Sequence, residues 1–269
     1  MLNQEQSYEE NRNDFQEINS NIEKMGFCAI PPEKKEEDGN KEKIPFYAKL
    51  AIFLCGFAYC GFFIVQIIVA LFCKNNFESR LNFEVAVISI TYLVLFGIFL
   101  YFIIRYRKYF AQELKDPKKY LYGFLFGIVT IAIEIFVSYI VQSIFPADLN
   151  SNQQSIVDYT ENYPILMLFI TVFVGPLCEE MTYRVGLYEL IKEKNEMIAF
   201  FATSLIFAFI HISFDDTTTV QAELASFPIY LTIAACLTYS YKKYGFACSY
   251  VAHVFLNLIS YISITMIQA

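Results

Sequence analysis

Three polar groups interrupt apolar stretches of this chain, each in a different stretch, and together they contain its only two histidines. They are Glu179-Glu180-x-x-x-Arg184, Phe207-x-x-x-His211 and His253-x-x-x-Asn257. Ionisable side chains are costly inside a membrane and usually have a function where they occur there. The groups therefore predict one buried site, in which a carboxylate activates water while imidazole and amide groups handle the developing charge.

The four-residue spacing within each group places the paired side chains on one face of a helix. Glu180 and Arg184 therefore share a face, whereas Glu179 points about 100° away from Glu180. The two glutamates need not have the same role.

The depth of each group in a membrane can be predicted from the helical rise of about 1.5 Å per residue. Glu180 lies roughly 18 Å from Lys192, and His253 lies roughly 15 Å from the basic pair that precedes its stretch, so both are expected at mid-membrane. His211 is the outlier, because it lies only four residues before Asp215. Either its helix is strongly tilted or the acidic residues that follow it dip into a wet cavity.

Packing is the simpler interpretation of each group by itself. Glu180 and Arg184 could form a buried ion pair that fixes the helices, and an intramembrane histidine often hydrogen-bonds to a neighbouring helix. Packing explains poorly why both histidines of the chain have a partner four residues away. We therefore favour a catalytic interpretation of the three groups.

Zinc is the rival explanation of the same residues, since two histidines and a glutamate are a common ligand set. The H-E-x-x-H pattern of zinc proteases is absent from the sequence. The seven cysteines lack metal-type C-x-x-C spacing and are interpreted as small core residues. We expect a metal-free glutamate mechanism with no cofactor.

The composition places the chain among multi-pass membrane proteins. Hydrophobic residues make up 56 %, with 28 Phe and 20 Tyr. Residues 1–43 hold 11 acidic and 6 basic residues, so they contribute −5 of the net charge of −7. No basic patch typical of nucleic-acid binding is present. The expected partners are the lipid bilayer and a membrane-associated peptide or protein substrate, and not nucleic acid.

Seven apolar segments follow residues 1–43, which we predict to be a disordered cytoplasmic tail and linker. The segments lie at about 45–73, 83–104, 120–145, 163–190, 197–214, 225–241 and 245–267. Since a span needs about 20 apolar residues, the fifth and sixth are short and the fourth is long enough to be tilted or broken. The predicted fold is all-α: a membrane domain over residues 44–269 with about seven transmembrane helices, or eight with a re-entrant segment.

The orientation follows from lysines and arginines in alternate short loops. These residues are Lys34, Lys35, Lys41, Lys43 and Lys49 before the first segment, Arg105, Arg107, Lys108, Lys115, Lys118 and Lys119 in the second loop, Lys192 and Lys194 in the fourth, and Lys242 and Lys243 in the sixth. The third and fifth loops hold no Lys or Arg, and only Lys74 and Arg80 of the first loop lie on the opposite side. The positive-inside rule predicts a cytoplasmic amino terminus and an external carboxy terminus.

The order and spacing of the three motifs resemble those of the CPBP intramembrane proteases. This family contains the type II CAAX prenyl endopeptidases and the bacterial Abi proteins linked to bacteriocin processing and self-immunity. The similarity covers about residues 160–260. Many relatives place a glycine directly after the arginine of the first motif, where this chain has Val185 before Gly186.

The resemblance implies an all-helical membrane endopeptidase whose site opens toward the cytosol. It implies that Glu179 and His211 activate the attacking water and that His253 and Asn257 stabilise the oxyanion. Glu180 and Arg184 are then expected to support the site. Two other classes stay open: a catalytically idle scaffold, regulatory or bacteriocin-immunity protein, and a proton-coupled transporter that uses the same ionisable residues.

Overall fold

The computed structural model describes residues 42–61, 80–213 and 219–267. This part of the chain is all-helical, with nine helices and no β-strand. The helices are α1 (Phe46–Gly61), α2 (Arg80–Arg105), α3 (Arg107–Leu114), α4 (Pro117–Ile144), α5 (Ser151–Asn162), α6 (Pro164–Lys192), α7 (Glu196–Phe209), α8 (Val220–Tyr244) and α9 (Phe246–Ile267). The predicted fold class is confirmed.

Five of the helices, namely α2, α4, α6, α8 and α9, are long and apolar enough to cross a membrane. Helices α1 and α7 are apolar but shorter. These seven helices correspond to the seven apolar segments of the sequence, and the chain has the architecture of an integral multi-pass membrane protein. The number of seven spans stays a prediction, because the second half of the first segment lies outside the described residues.

Helix α6 is the long fourth segment, and it is wound irregularly rather than broken. It contains two π-helical stretches, Leu168–Val174 and Glu180–Tyr188, separated by the α-helical turn Gly175–Glu179. π-helical turns are frequent at functional sites. Here the first stretch ends five residues before Glu179, and the second begins directly after it and contains Glu180 and Arg184. The irregular winding therefore flanks and includes the first polar motif.

Glycines allow two close helix contacts around α6 and α9. A Cβ added at Gly186 of α6 would lie 2.9 Å from Phe53 Cα of α1, so only glycine permits this approach. The glycine two residues after Arg184 therefore has a packing role in this chain, while Val185 is fully buried. Helix α4 approaches α9 in the same way, because a Cβ at Gly123 would lie 2.7 Å from the Cys248 carbonyl oxygen.

The structure differs from the predicted segments in three places. The sixth is not short: α8 has 25 residues, because the polar residues that flank its apolar part are helical as well. Helices α3 and α5 lie in predicted loops, where their polar sequences carry no apolar signal. The Asn150 side chain starts α5 by accepting a hydrogen bond from the Gln153 N–H. The predicted tail over residues 1–43 and the acidic pair at 215–216 fall almost wholly outside the described residues.

Candidate functional site

The structure brings the predicted catalytic side chains together around one cavity of about 200 Å³. Glu179 comes from α6, His253 and Asn257 come from α9, and His211 comes from the turn after α7. Of the two supporting residues, Glu180 and Arg184, neither lines this cavity. The cavity is also lined by Ile88, Tyr92, Glu134, Asn152, Gln153, Ile156, Met167, Ile170, Thr171, Gly175, Phe207, Tyr230, Ile233, Leu256 and Ser260.

Glu180 and Arg184 form a fully buried ion pair beside the cavity. Their side chains are 0 % exposed, and Arg184 Nε lies 3.4 Å from Glu180 Oε2. The guanidinium also lies over the Phe207 ring, 4.8 Å from its centroid. The other oxygen, Glu180 Oε1, accepts a hydrogen bond of 3.0 Å from His253 Nδ1. Glu180 therefore links the ion pair to the imidazole and fixes the orientation of its ring.

Glu179 has different surroundings from Glu180, as their angular separation on the helix predicts. Its side chain is 15 % exposed and lines the cavity. Oε1 accepts a hydrogen bond of 3.2 Å from the Tyr92 hydroxyl, and Oε2 lies 3.6 Å from His253 Nε2. His253 thus lies between the two glutamates, and of these two carboxylates only that of Glu179 lines the cavity.

His211 lies just beyond the end of α7. It is the residue whose predicted depth in the membrane differed from that of Glu180 and His253. Its Nδ1 is 2.7 Å from the Phe207 carbonyl oxygen. Since a carbonyl only accepts, Nδ1 carries a hydrogen and donates it, and Nε2 is the atom left to take up a proton. The ring stacks on Tyr230 with a centroid distance of 4.7 Å, which fixes its plane.

Asn257 is held by the irregular part of α6. In the first π-helical stretch the Gly175 N–H donates to the Ile170 carbonyl, five residues earlier. The Thr171 carbonyl would next accept from residue 176, which is Pro176 and has no N–H. Asn257 Nδ2 donates to this carbonyl oxygen at 2.7 Å instead. One hydrogen of the amide is thereby used, and the second is left for a ligand in the cavity.

A second polar network, which we call the outer network, holds the turn that carries His211. It consists of Asn150, Ser151, Ser213 and Glu223 around the backbone of this turn. Glu223 is 1 % exposed, and its carboxylate accepts hydrogen bonds from the Ser151 N–H at 2.8 Å and the Ser213 N–H at 3.0 Å. Asn150 donates to the His211 carbonyl oxygen at 3.0 Å. The network ties the turn to the first residue of α5.

The sequence interpretation missed Tyr92, Tyr230, Glu134 and the residues of the outer network. An acidic residue within the apolar sequence of α4 was the available signal for Glu134. Tyr92 and Tyr230 had no such signal, because the chain holds 20 tyrosines. Asn150 lies outside the apolar segments altogether.

The cavity includes side chains of α5, which lies in a segment that the loop charges predict to be external. Asn152 and Gln153 are among them. The opening toward the cytosol that the family resemblance implies therefore stays a prediction, as does the orientation of both termini. Within the described residues, no group of three or more His, Cys, Asp or Glu side chains is arranged to hold a metal ion.

Comparison with known proteins supports the resemblance seen in the motifs. Residues 161–259 match the family model described as "Type II CAAX prenyl endopeptidase Rce1-like". This range contains all six predicted site residues. The resemblance to this family that the motifs indicated is therefore confirmed for this part of the chain. Tyr92 and Glu134 lie outside the matched range.

Two relatives share about 31 % identity with parts of the chain. The UPF0177 protein YvdC of Lactococcus lactis subsp. lactis (strain IL1403) is 31 % identical over 144 residues, which is 53 % of this chain and 51 % of the relative. A Mycoplasma capricolum subsp. capricolum protein, described as an uncharacterized protein, is 31 % identical over 103 residues, 38 % of this chain and 28 % of the relative. The chain spans about half or less of these relatives. No solved structure gives a significant match.

Proposed function

We propose that this protein is an intramembrane endopeptidase that hydrolyses a peptide bond near the membrane with a glutamate-activated water. The main support for this proposal is that one cavity is lined by four candidate residues from three separate segments, namely Glu179, His211, His253 and Asn257. The family match over residues 161–259 supports the same class of reaction. The loop charges support a cytoplasmic amino terminus and an external carboxy terminus.

In the proposed mechanism Glu179 is the general base. It takes a proton from a water molecule whose oxygen attacks the carbonyl carbon of the scissile bond. The hydrogen bond from Tyr92 fixes one carboxylate oxygen and leaves Oε2 for the water. His211 Nε2 is the second acceptor that holds this water. When the C–N bond breaks, the proton passes from Glu179 to the leaving amine.

The developing oxyanion needs hydrogen-bond donors where water is scarce. Asn257 supplies the amide hydrogen that the Thr171 carbonyl does not use. His253 supplies Nε2–H when its ring carries both hydrogens, while Nδ1 stays bonded to Glu180. Glu180 and Arg184 act indirectly, by holding this imidazole in place.

Cleavage of labelled membrane peptides by the purified protein tests the proposal. Glu179→Gln keeps the shape of the side chain but removes the base, so turnover should fall by about 10²–10⁴ while the protein still accumulates in the membrane. Glu161→Gln changes an exposed carboxylate outside the cavity and is the matched control. Wild-type turnover by Glu179→Gln would show that the assigned base is wrong. The scaffold interpretation would be supported by two results together. Wild-type protein cleaves no peptide, and cells that carry Glu179→Gln have the same phenotype as cells that carry the wild-type protein.

Zinc dependence is a separate test of the same mechanism. A catalytic zinc takes three protein ligands and leaves one position for water. We expect elemental analysis to find less than stoichiometric zinc in active protein, and chelators to leave turnover unchanged. About one zinc per chain, together with chelator-sensitive and zinc-restored activity, would replace the glutamate mechanism with a zinc one.

A further inference from the structure

Glu134 is an acidic residue of α4 that faces the interior of the protein. The buried positions of this helix are Gly123, Gly127 and Thr130, at intervals of four and three residues. Glu134 follows four residues later and therefore continues the same face. A Cβ at Gly127 would lie 2.7 Å from the Phe255 ring of α9, so this face packs against α9. Glu134 lies beyond the close contact, where the helices leave room for the cavity.

Glu134 lines the same cavity as Glu179, and the described residues provide its carboxylate with no hydrogen bond and no ion pair. The cavity wall contains two carboxylates and no Lys or Arg among the described residues. The hydroxyl of Tyr230, a residue that also lines the cavity, is already bonded to Asn150 and Asn152. The cavity is therefore acidic on both the side of α6 and the side of α4.

An ionised carboxylate in a water-poor site is stabilised mainly by a cation or by several donors. The described residues supply neither to Glu134, and a positively charged group of a molecule bound in the cavity would supply one. No three described acidic, His or Cys side chains are arranged for a metal ion, so an organic cation fits this wall better than a metal ion. The volume of about 200 Å³ is below the roughly 300–1,000 Å³ typical of drug-sized ligands and fits one or two groups of an extended peptide.

We propose that Glu134 binds a positively charged group of the substrate peptide and so selects substrates with a cation near the scissile bond. The inference rests on the proposed endopeptidase function and narrows its substrate class. The cation is either a Lys or Arg side chain or the α-ammonium of a free amino terminus. Glu134 is a specificity-determining residue in this proposal, and Glu179 keeps the role of base.

The inference can be tested by measuring how tightly peptides bind to protein that carries Glu179→Gln and cannot cleave them. This substitution also leaves Glu134 as the only carboxylate in the described cavity wall. Fluorescent peptides of one neutral sequence carry lysine or norleucine at each position in turn, with the amino terminus free or acetylated. With Glu134 present, at least one lysine or free-terminus peptide should bind about 10- to 100-fold more tightly than its neutral match, the usual range for a hydrogen bond to a charged group. Glu134→Gln should remove this preference and leave binding of the neutral peptides unchanged.

Two further variants separate charge recognition from a packing role. Glu134→Lys should reverse the preference toward peptides with a glutamate at the same position. Glu161→Gln, at an exposed carboxylate of α5, should leave the preference intact. An equal loss of affinity for charged and neutral peptides in Glu134→Gln would show a packing role, and the absence of any charge preference with Glu134 present would overturn the inference.

The same peptides distinguish this inference from the proposed function. They are also incubated with protein that has Glu179 intact, and cleavage is followed by mass spectrometry. Cleavage that is equally fast for charged and neutral peptides contradicts the role of Glu134 but supports the endopeptidase. A charge preference in binding without any cleavage supports the role of Glu134 as a binding residue and contradicts the endopeptidase.

Discussion

The two histidines line the same cavity but are held in different ways. His253 lies within α9, and both of its ring nitrogens face carboxylates of α6. His211 lies beyond the end of α7, where its ring bonds a carbonyl and its own carbonyl accepts from Asn150. One histidine is positioned by side chains at helical spacing, and the other by backbone hydrogen bonds at a chain turn. The proposed site therefore depends on two structural units that can be damaged separately.

The energetic basis of the two units also differs. The Glu180–Arg184 pair has no exposed surface, so its desolvation is offset only while both charges are present. In the outer network, two backbone N–H groups donate to the buried carboxylate of Glu223, and these are neutral donors. Removing one charge from the first unit should therefore cost more than neutralising Glu223 in the second.

The largest effect is expected from Glu180→Ala, which leaves the Arg184 guanidinium buried without its counter-charge. Such a change typically costs about 3–5 kcal/mol. The variant should accumulate poorly and unfold at a lower temperature in detergent, as followed by circular dichroism. The double variant Glu180→Leu/Arg184→Met removes both charges and should regain most of the stability. If Glu180→Ala alone were as stable as wild type, the buried Glu180–Arg184 pair would not stabilise the fold around the site.

Asn257→Ala should affect turnover more than stability. Loss of one oxyanion donor lowers kcat by about 10²–10³ and changes substrate binding little. Steady-state kinetics with a cleaved peptide measure both quantities. Ser260→Ala, which also lies in the cavity wall, is the control and should be nearly neutral. A lower unfolding temperature with unchanged kcat would limit Asn257 to its bond with the Thr171 carbonyl.

Glu223→Gln tests the outer network. An amide accepts through only one of its two polar atoms, so one backbone N–H loses its partner, at a cost of about 1–3 kcal/mol. Turnover should fall because the turn that holds His211 is loosened. In a His211→Ala background the same change should lower stability but not turnover any further, since the histidine it positions is gone. Additive losses of turnover would show that Glu223 does not act through His211.

The contrast also explains how much the sequence could predict. Apolar runs predict the all-helical fold, and the four-residue spacing predicts that the paired residues of each motif share one helix face. Both are local properties of the sequence. The site roles stay proposals. Asn150 and Glu223 could not be predicted, because they bind backbone groups up to 72 residues away. The bond from Asn257 to the Thr171 carbonyl depends on Pro176 combined with π-helical winding, and spacing alone does not reveal this winding.

The smallest effect is expected at the end of α6, where Lys49 Nζ lies 2.6 Å from Glu193 Oε1. This pair is exposed on the Glu193 side only, because the Lys49 side chain is 7 % exposed. The hydrogen bond and the charge of Lys49 hold the pKa of the Glu193 carboxyl below its usual value. A carboxyl with a lowered pKa in the folded state stabilises the protein above its unfolded pKa of about 4.3, and this stabilisation is lost as the pH falls through the folded value. Because the Glu193 side chain is 53 % exposed, solvent screening limits the contribution to at most about 1 kcal/mol.

Glu193→Gln should therefore lower the unfolding temperature slightly at pH 7, and less so at high salt, where exposed charges are screened. Below the folded pKa the difference from wild type should vanish, because the wild-type carboxyl is then also neutral. Thermal unfolding at several pH values and salt concentrations measures this directly. A loss at pH 7 as large as that of Glu180→Ala would mean that the partly exposed Lys49–Glu193 pair contributes as much as the fully buried Glu180–Arg184 pair.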